Sequence, residues 1–105
     1  MHPIIENNKQ QILAHCKEHH VKELYAFGSV TRDDFNDISD VDLLYRFYEN
    51  EIPDTVYANN FFDFKDKVTA LLSREVDLIA CDFLSNPYFI KVVGKEKKKN
   101  IWVKN

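Results

Sequence analysis

The sequence predicts an α+β domain, a mixed β-sheet with helices packed mainly on one face. Three apolar runs of strand length, at residues 21–27, 41–47 and 75–80, are bounded by turn residues. Between and before them, apolar side chains recur at helical spacing. A chain of 105 residues holds one core, so residues 1–105 form one domain.

Taken in order, Pro3 suits a first helical turn, and Ile5, Ile12, Leu13 and Cys16 continue a helix over residues 3–18. The pair His19-His20 closes it, where cations complement the helix dipole. The first strand, residues 21–27, breaks into a turn at Gly28-Ser29, and a short helix is expected over 29–34. A turn-rich segment, Asn36-Asp37-Ile38-Ser39, leads into the second strand at 41–47. Residues 48–60, with Pro53, connect to an amphipathic helix over 61–73 marked by Phe61, Phe64, Val68, Leu71 and Leu72. A third strand covers 75–80. Asn86-Pro87 starts a last helix running to about residue 98. A short strand at 101–103 ends the pattern.

Composition excludes several classes. The chain is 45% hydrophobic and 30% charged, with only two glycines and three prolines, which argues against a linker or a disordered segment. A net charge of -3 excludes a broadly basic nucleic-acid binder, and no direct nucleic-acid binding is expected. No apolar run approaches the roughly 20 residues that span a bilayer, and no secretory leader is expected. Cys16 and Cys81 lack metal-site or redox spacing and read as reduced thiols, so a cytoplasmic location is expected.

The chemistry concentrates between residues 28 and 42. Gly28-Ser29 lies where a strand enters a helix, so backbone N–H groups and a hydroxyl can meet an anion there. Ten intervening residues later comes Asp40-Val41-Asp42. Strand alternation puts both carboxylates on one face, with Cα atoms about 6–7 Å apart. Their mutual repulsion is relieved by a divalent cation, and oxygen ligands suit Mg²⁺. Asp77 interrupts an apolar strand, where a carboxylate is costly unless compensated. If that strand lies beside the one carrying Asp40 and Asp42, the three side chains form a ligand set for two metal ions. Such a pair supports in-line phosphoryl displacement. Asp77 then holds the metal on the attacking hydroxyl and can accept its proton.

The bland alternatives are specific. An isolated Asp-x-Asp is most often a solvated strand edge, and Asp77 could pair with Arg74. Arg32 either reaches a triphosphate or is a surface arginine. His15 and His19 stand at a metal-binding spacing without a third ligand, so a solvated helix face is expected. Lys95, Lys97, Lys98 and Lys99 complement a helix dipole more readily than they bind a polyanion. Phe62 lies off the apolar stripe of its helix and is a candidate partner surface.

The combination Gly28-Ser29, ten residues, Asp40-x-Asp42 and a later Asp77 in a strand resembles the DNA polymerase β-type nucleotidyltransferase superfamily. Within it the chain is similar to the minimal nucleotidyltransferases that act as antitoxins to HEPN-domain ribonuclease toxins. The likeness runs from the strand before Gly28 through Ser39–Leu44 and Val76–Ile79 to Asn86-Pro87-Tyr88. Asp33 stands where the family usually has a small residue after the arginine matching Arg32, and residues 95–100 suggest a longer last helix than the family's. The resemblance implies Asp40, Asp42 and Asp77 as catalytic metal ligands, two Mg²⁺ ions, and Gly28, Ser29 and Arg32 at the nucleotide. It further implies AMP transfer from ATP onto a tyrosine hydroxyl of the toxin, in a hetero-oligomer with it. The larger superfamily members carry a second, helical domain, so a separate protein is expected to complete this site. Two other readings compete: an antitoxin acting by contact alone, and an enzyme modifying a small molecule.

Overall fold

A computed structural model of the protein describes residues 2–31, 35–36, 38–81 and 99–103. Helices α1 (Pro3–Asn7) and α2 (Lys9–Glu18) lead into strand β1 (Val21–Phe27). A 3-10 turn, Gly28–Thr31, comes before β2 (Val41–Phe47). Two further 3-10 turns, Glu49–Glu51 and Asp54–Val56, lead to α3 (Tyr57–Leu72), followed by β3 (Val76–Ala80) and β4 (Lys99–Val103). The helix expected over residues 86–98 lies outside the described residues.

The four strands form one mixed sheet in the order β3-β2-β1-β4. Strand β1 pairs antiparallel with both β2 and β4, while β2 and β3 run parallel. Parallel neighbours need a crossover, and α3 lies on it. The sheet's two faces follow from strand alternation. Leu24, Ala26, Val41, Leu43, Tyr45 and Val76 face the helices, packed with Ile5, Ile12, Cys16, Phe64, Val68 and Leu72. Tyr25, Phe27, Leu44 and Cys81 form a second, smaller cluster with Ile79 against it. The described helices therefore pack on one face, as expected. Phe64, Leu24, Leu43 and Ile12 are fully buried, and each such side chain contributes about 1.5–3 kcal/mol.

Local chemistry moves several boundaries. The single helix expected over 3–18 is interrupted at Asn8, whose φ of -113° is not helical. Its side-chain amide donates to the Ile4 carbonyl at 2.8 Å, a local bond that competes with helix continuation. Helix α3 starts at Tyr57 rather than 61, because its first turn, Tyr57-Ala58-Asn59-Asn60, lacks the apolar repeat that marks the rest. It stops at Ser73, which takes a left-handed conformation with φ of 54°.

The solvated helix face expected for His15 and His19 is not what forms. His19 is buried, 4% exposed. The end of α2 packs against α3, and the His19 ring sits 5.6 Å from that of Phe64. Its Nδ1 meets the His15 carbonyl at 2.8 Å and its Nε2 meets Asp63 Oδ2 at 2.6 Å. Asn60 donates to the His19 carbonyl at 2.9 Å. The histidine is an interhelical tie.

This tie carries a pH dependence. The hydrogen bond from His19, and then that from Lys67, hold the Asp63 carboxyl below its ordinary value of 3.8. A depressed folded-state value means stabilisation that is present above 3.8 and lost as the pH falls through the lower folded value. Asp63→Asn should therefore unfold at lower urea concentration than the wild type at pH 7. That difference should shrink as the pH drops below the aspartate range. An equal difference in urea midpoint at both pH values would show that the ionised carboxylate contributes nothing.

Candidate active site

Strand β1 delivers the chain to the sheet rim at Phe27, which is buried. The next residue, Gly28, has φ of 71°, a left-handed conformation that a Cβ would penalise. The chain then winds through the turn Gly28–Thr31, where the Thr31 hydroxyl donates to the Gly28 carbonyl at 2.7 Å. Val30, fully buried, anchors the turn, and the His2 N–H donates to its carbonyl at 3.1 Å. The described part of the helix expected over 29–34 is this four-residue 3-10 turn. Any anion bound there is met by individual N–H groups more than by a summed helix dipole. Arg32 lies outside the described residues.

Strand β2 starts at the same rim. Asp42 is the register partner of Phe27 on one side and of Asp77 on the other. Neighbouring strands are about 4.7–4.9 Å apart, so the two aspartates stand side by side and share a face. That face is the one opposite the helices, since Val41, Leu43 and Val76 point into the main core. Asp42 is half-buried, while Asp40 and Asp77 are exposed. The adjacency of the two aspartate-bearing strands, on which the metal-site reading depends, is present.

Asp40 is presented by a loop with its own internal bonds. Asn36 Oδ1 accepts from the Ile38 N–H at 3.0 Å, and the Ser39 N–H donates to the Asn36 carbonyl at 3.1 Å. The Val41 N–H then donates to the Glu75 carbonyl at 2.9 Å, joining β2 to the start of β3. Arg74 directs Nη1 to the carbonyls of Asn36 and Ser39, at 2.6 and 3.2 Å. Beside Asp40 lies an open pocket of about 430 Å³ lined by Ile38, Ser39, Thr69, Ser73, Arg74 and Glu75. Sequence reasoning missed this role of Arg74. Its only advance signal is a cation just ahead of β3, which means something once β3 is known to lie against β2.

Among the described residues, no three His, Cys, Asp or Glu side chains already close around a metal position. The donor set nevertheless fits Mg²⁺. That ion usually keeps several waters and takes one or two carboxylates plus substrate phosphates, without an all-protein cage. Asp42 and Asp77 supply two adjacent hard oxygen donors on one face, and Asp40 a third two residues upstream. The thiols of Cys16 and Cys81 are buried in the two apolar clusters.

The family of nucleotidyltransferase domains matches residues 9–100, which span both the Gly28 turn and all three aspartates. The chain belongs to that family. It is a nucleotidyltransferase. A Methanocaldococcus jannaschii protein, named for protein adenylyl transfer, is 34% identical over 80 residues, 76% of either chain. A second protein of that organism with the same kind of name is 28% identical over 93 residues, 89% of this chain and 87% of its own. Among solved structures, one described as a minimal nucleotidyltransferase superposes with a TM-score of 0.70 at 24% identity, covering 98% of this chain and 97% of the other. A toxin–antitoxin structure with AMP-PNP superposes with a TM-score of 0.66 at 20% identity, covering 93% of this chain and 75% of that one. These two superpositions establish the nucleotidyltransferase fold.

Gly28→Val tests the turn. The left-handed backbone should cost about 1–2 kcal/mol of stability, and the new side chain should stand where phosphates would approach. Titration with a non-hydrolysable nucleoside triphosphate should show binding lost in Gly28→Val. Ser29→Ala should lose only about 1–3 kcal/mol, as for one hydrogen bond to a charged group. Wild-type affinity in Gly28→Val would remove the phosphates from this turn.

Proposed function

We propose that this nucleotidyltransferase moves AMP from ATP onto a hydroxyl of a partner protein, a tyrosine of a HEPN-domain ribonuclease toxin, and so acts as that toxin's antitoxin. The observation that carries the catalytic part is the register of β2, which sets Asp42 between the Phe27-Gly28 turn and Asp77. The Gly28 turn and the paired carboxylates thus meet at one end of the sheet, which supports reading that turn as the phosphate site. The choice of adenylate and of a protein acceptor is supported by relatives named for protein adenylyl transfer. Support for a toxin partner comes from the fold shared with a toxin–antitoxin structure holding AMP-PNP. A further structure of this fold, the toxin–antitoxin pair MntA–HpeT, covers 93% of this chain at a TM-score of 0.63. It carries two aspartate-to-glutamate changes two positions apart, the spacing of Asp40 and Asp42 here.

The reaction joins the acceptor oxygen to the α-phosphorus of ATP and breaks the α–β phosphoanhydride, with pyrophosphate leaving. In this scheme Gly28 and Ser29 hold the triphosphate through backbone N–H groups, and Asp40 and Asp42 are the residues that would hold Mg²⁺. Held there, Mg²⁺ would supply charge neutralisation at the phosphates and a lowered pKa for the acceptor hydroxyl. Asp77, exposed at the rim, takes the acceptor's proton and passes it to solvent.

Asp77→Asn separates modification from mere contact. The variant should still bind ATP and the partner, while transfer falls at least 10²–10⁴-fold through loss of the proton acceptor, about the usual size of that effect. Incubation with ATP, Mg²⁺ and the partner, followed by intact-mass analysis of both chains, should show AMP on the partner for wild type only. Full protection of cells by Asp77→Asn would mean that neutralisation rests on contact.

A further inference from the structure

Arg74 belongs to none of the groups assigned above, yet it is the side chain that ties the α3–β3 turn to the loop before Asp40. The chain leaves α3 through the left-handed Ser73 and turns toward the sheet rim. From there Arg74 Nη1 donates to the carbonyl of Asn36 at 2.6 Å and to that of Ser39 at 3.2 Å. Its guanidinium carbon lies 4.9 Å from the centre of the Phe35 ring. Phe35 is buried and is in edge contact with His2 at 4.4 Å, and His2 in turn holds the Val30 carbonyl of the Gly28 turn. One residue further on, the Glu75 carbonyl receives the Val41 N–H. The loop is thus gripped at both of its ends by one short turn. An arginine suits this role because one terminal nitrogen carries two N–H donors, one for each carbonyl, while the planar, permanently charged guanidinium lies over an aromatic ring.

We infer that Arg74 is a positioning residue of the nucleotidyl-transfer site, holding Phe35, Asn36 and Ser39 so that Asp40 is presented beside Asp42 and Asp77. The metal-dependent half of this inference rests on the function proposed above; the clamp itself does not. Carboxylates that share a metal must be held within about 0.5 Å of their working positions. Asp40 lies outside the strand, so the loop's conformation sets its place.

The experiment compares wild type, Arg74→Ala, Arg74→Lys and Arg46→Ala. Arg46 pairs with Glu23 at 2.6 Å near the far end of β2 and serves as a control for general destabilisation. Amide hydrogen exchange is read at Ser39 and Val41. Mn²⁺ binding is followed by electron paramagnetic resonance with a non-hydrolysable ATP analogue present. Arg74→Ala should accelerate exchange at both amides and weaken Mn²⁺ binding about 10–100-fold, as for loss of a group supporting metal ligands. Arg74→Lys should recover only part of both, since an ammonium can still donate to two carbonyls but loses the planar contact with the Phe35 ring. Arg46→Ala should lower the melting temperature and leave Mn²⁺ affinity and the two amides unchanged. The inference is overturned if Arg74→Ala exchanges like wild type, or if Arg46→Ala weakens Mn²⁺ binding as much as Arg74→Ala does. Should wild type itself bind no Mn²⁺, the metal reading falls, while the exchange rates still decide whether Arg74 holds the loop.

Discussion

Strand β2 is hydrogen-bonded on both sides, and its register against β1 and β3 decides which residues meet at the rim of the sheet. Side chains alternate along a strand, so a slip of one residue would turn Asp42 into the helix-covered core and Leu43 out of it. Burying a carboxylate and exposing a leucine are both costly. The apolar residues Val41, Leu43, Tyr45 and Phe47, all facing the helices, therefore hold the aspartate in place as firmly as any hydrogen bond near it. The placement of the carboxylates at the rim depends on apolar packing on the other face.

Three stretches distant in sequence converge there: the end of β1 with its glycine turn, the start of β2, and the start of β3. The turn is tied to the N-terminal segment through His2 and Val30, and the loop ahead of Asp40 is tied to the end of α3 through Arg74. A residue pair such as Asp42 and Asp77, alike in charge and adjacent in register, is a poor choice for stability alone. Its position beside a left-handed glycine at the mouth of the sheet matches the donor set that a triphosphate and its Mg²⁺ require.

Much of this arrangement is legible in the amino-acid sequence. The bounds of β2 agree end to end with the apolar run, and Asp77 announces itself as a carboxylate interrupting an apolar strand. The Gly28 turn is visible because a glycine follows a buried strand. What periodicity cannot carry is partnership. The pattern within β3 is the same whether it pairs with β1 or β2, so the meeting of Asp42 and Asp77 is conditional on adjacency, which only the topology supplies. The break at Asn8 escapes a sequence reading because one side-chain hydrogen bond overrides a helical pattern that continues on both sides of it. His19 escapes for a related reason. Its spacing from His15 describes a helix face, and only the packing of α3 makes that face an interior.

The two cysteines sit on opposite faces of the sheet, Cys16 in the main core under the helices and Cys81 in the smaller cluster with Tyr25 and Phe27. The sheet itself stands between them and keeps them from bridging. Burial pushes the Cys16 thiol up to about 12, so near neutral pH it offers almost no thiolate to an alkylating reagent while the protein is folded. The chain thus carries a native chemical clock on each side of the sheet. The rate at which each thiol becomes reactive reports how often that face opens, and a bound nucleotide or partner that steadies one face more than the other will slow one clock and spare the other.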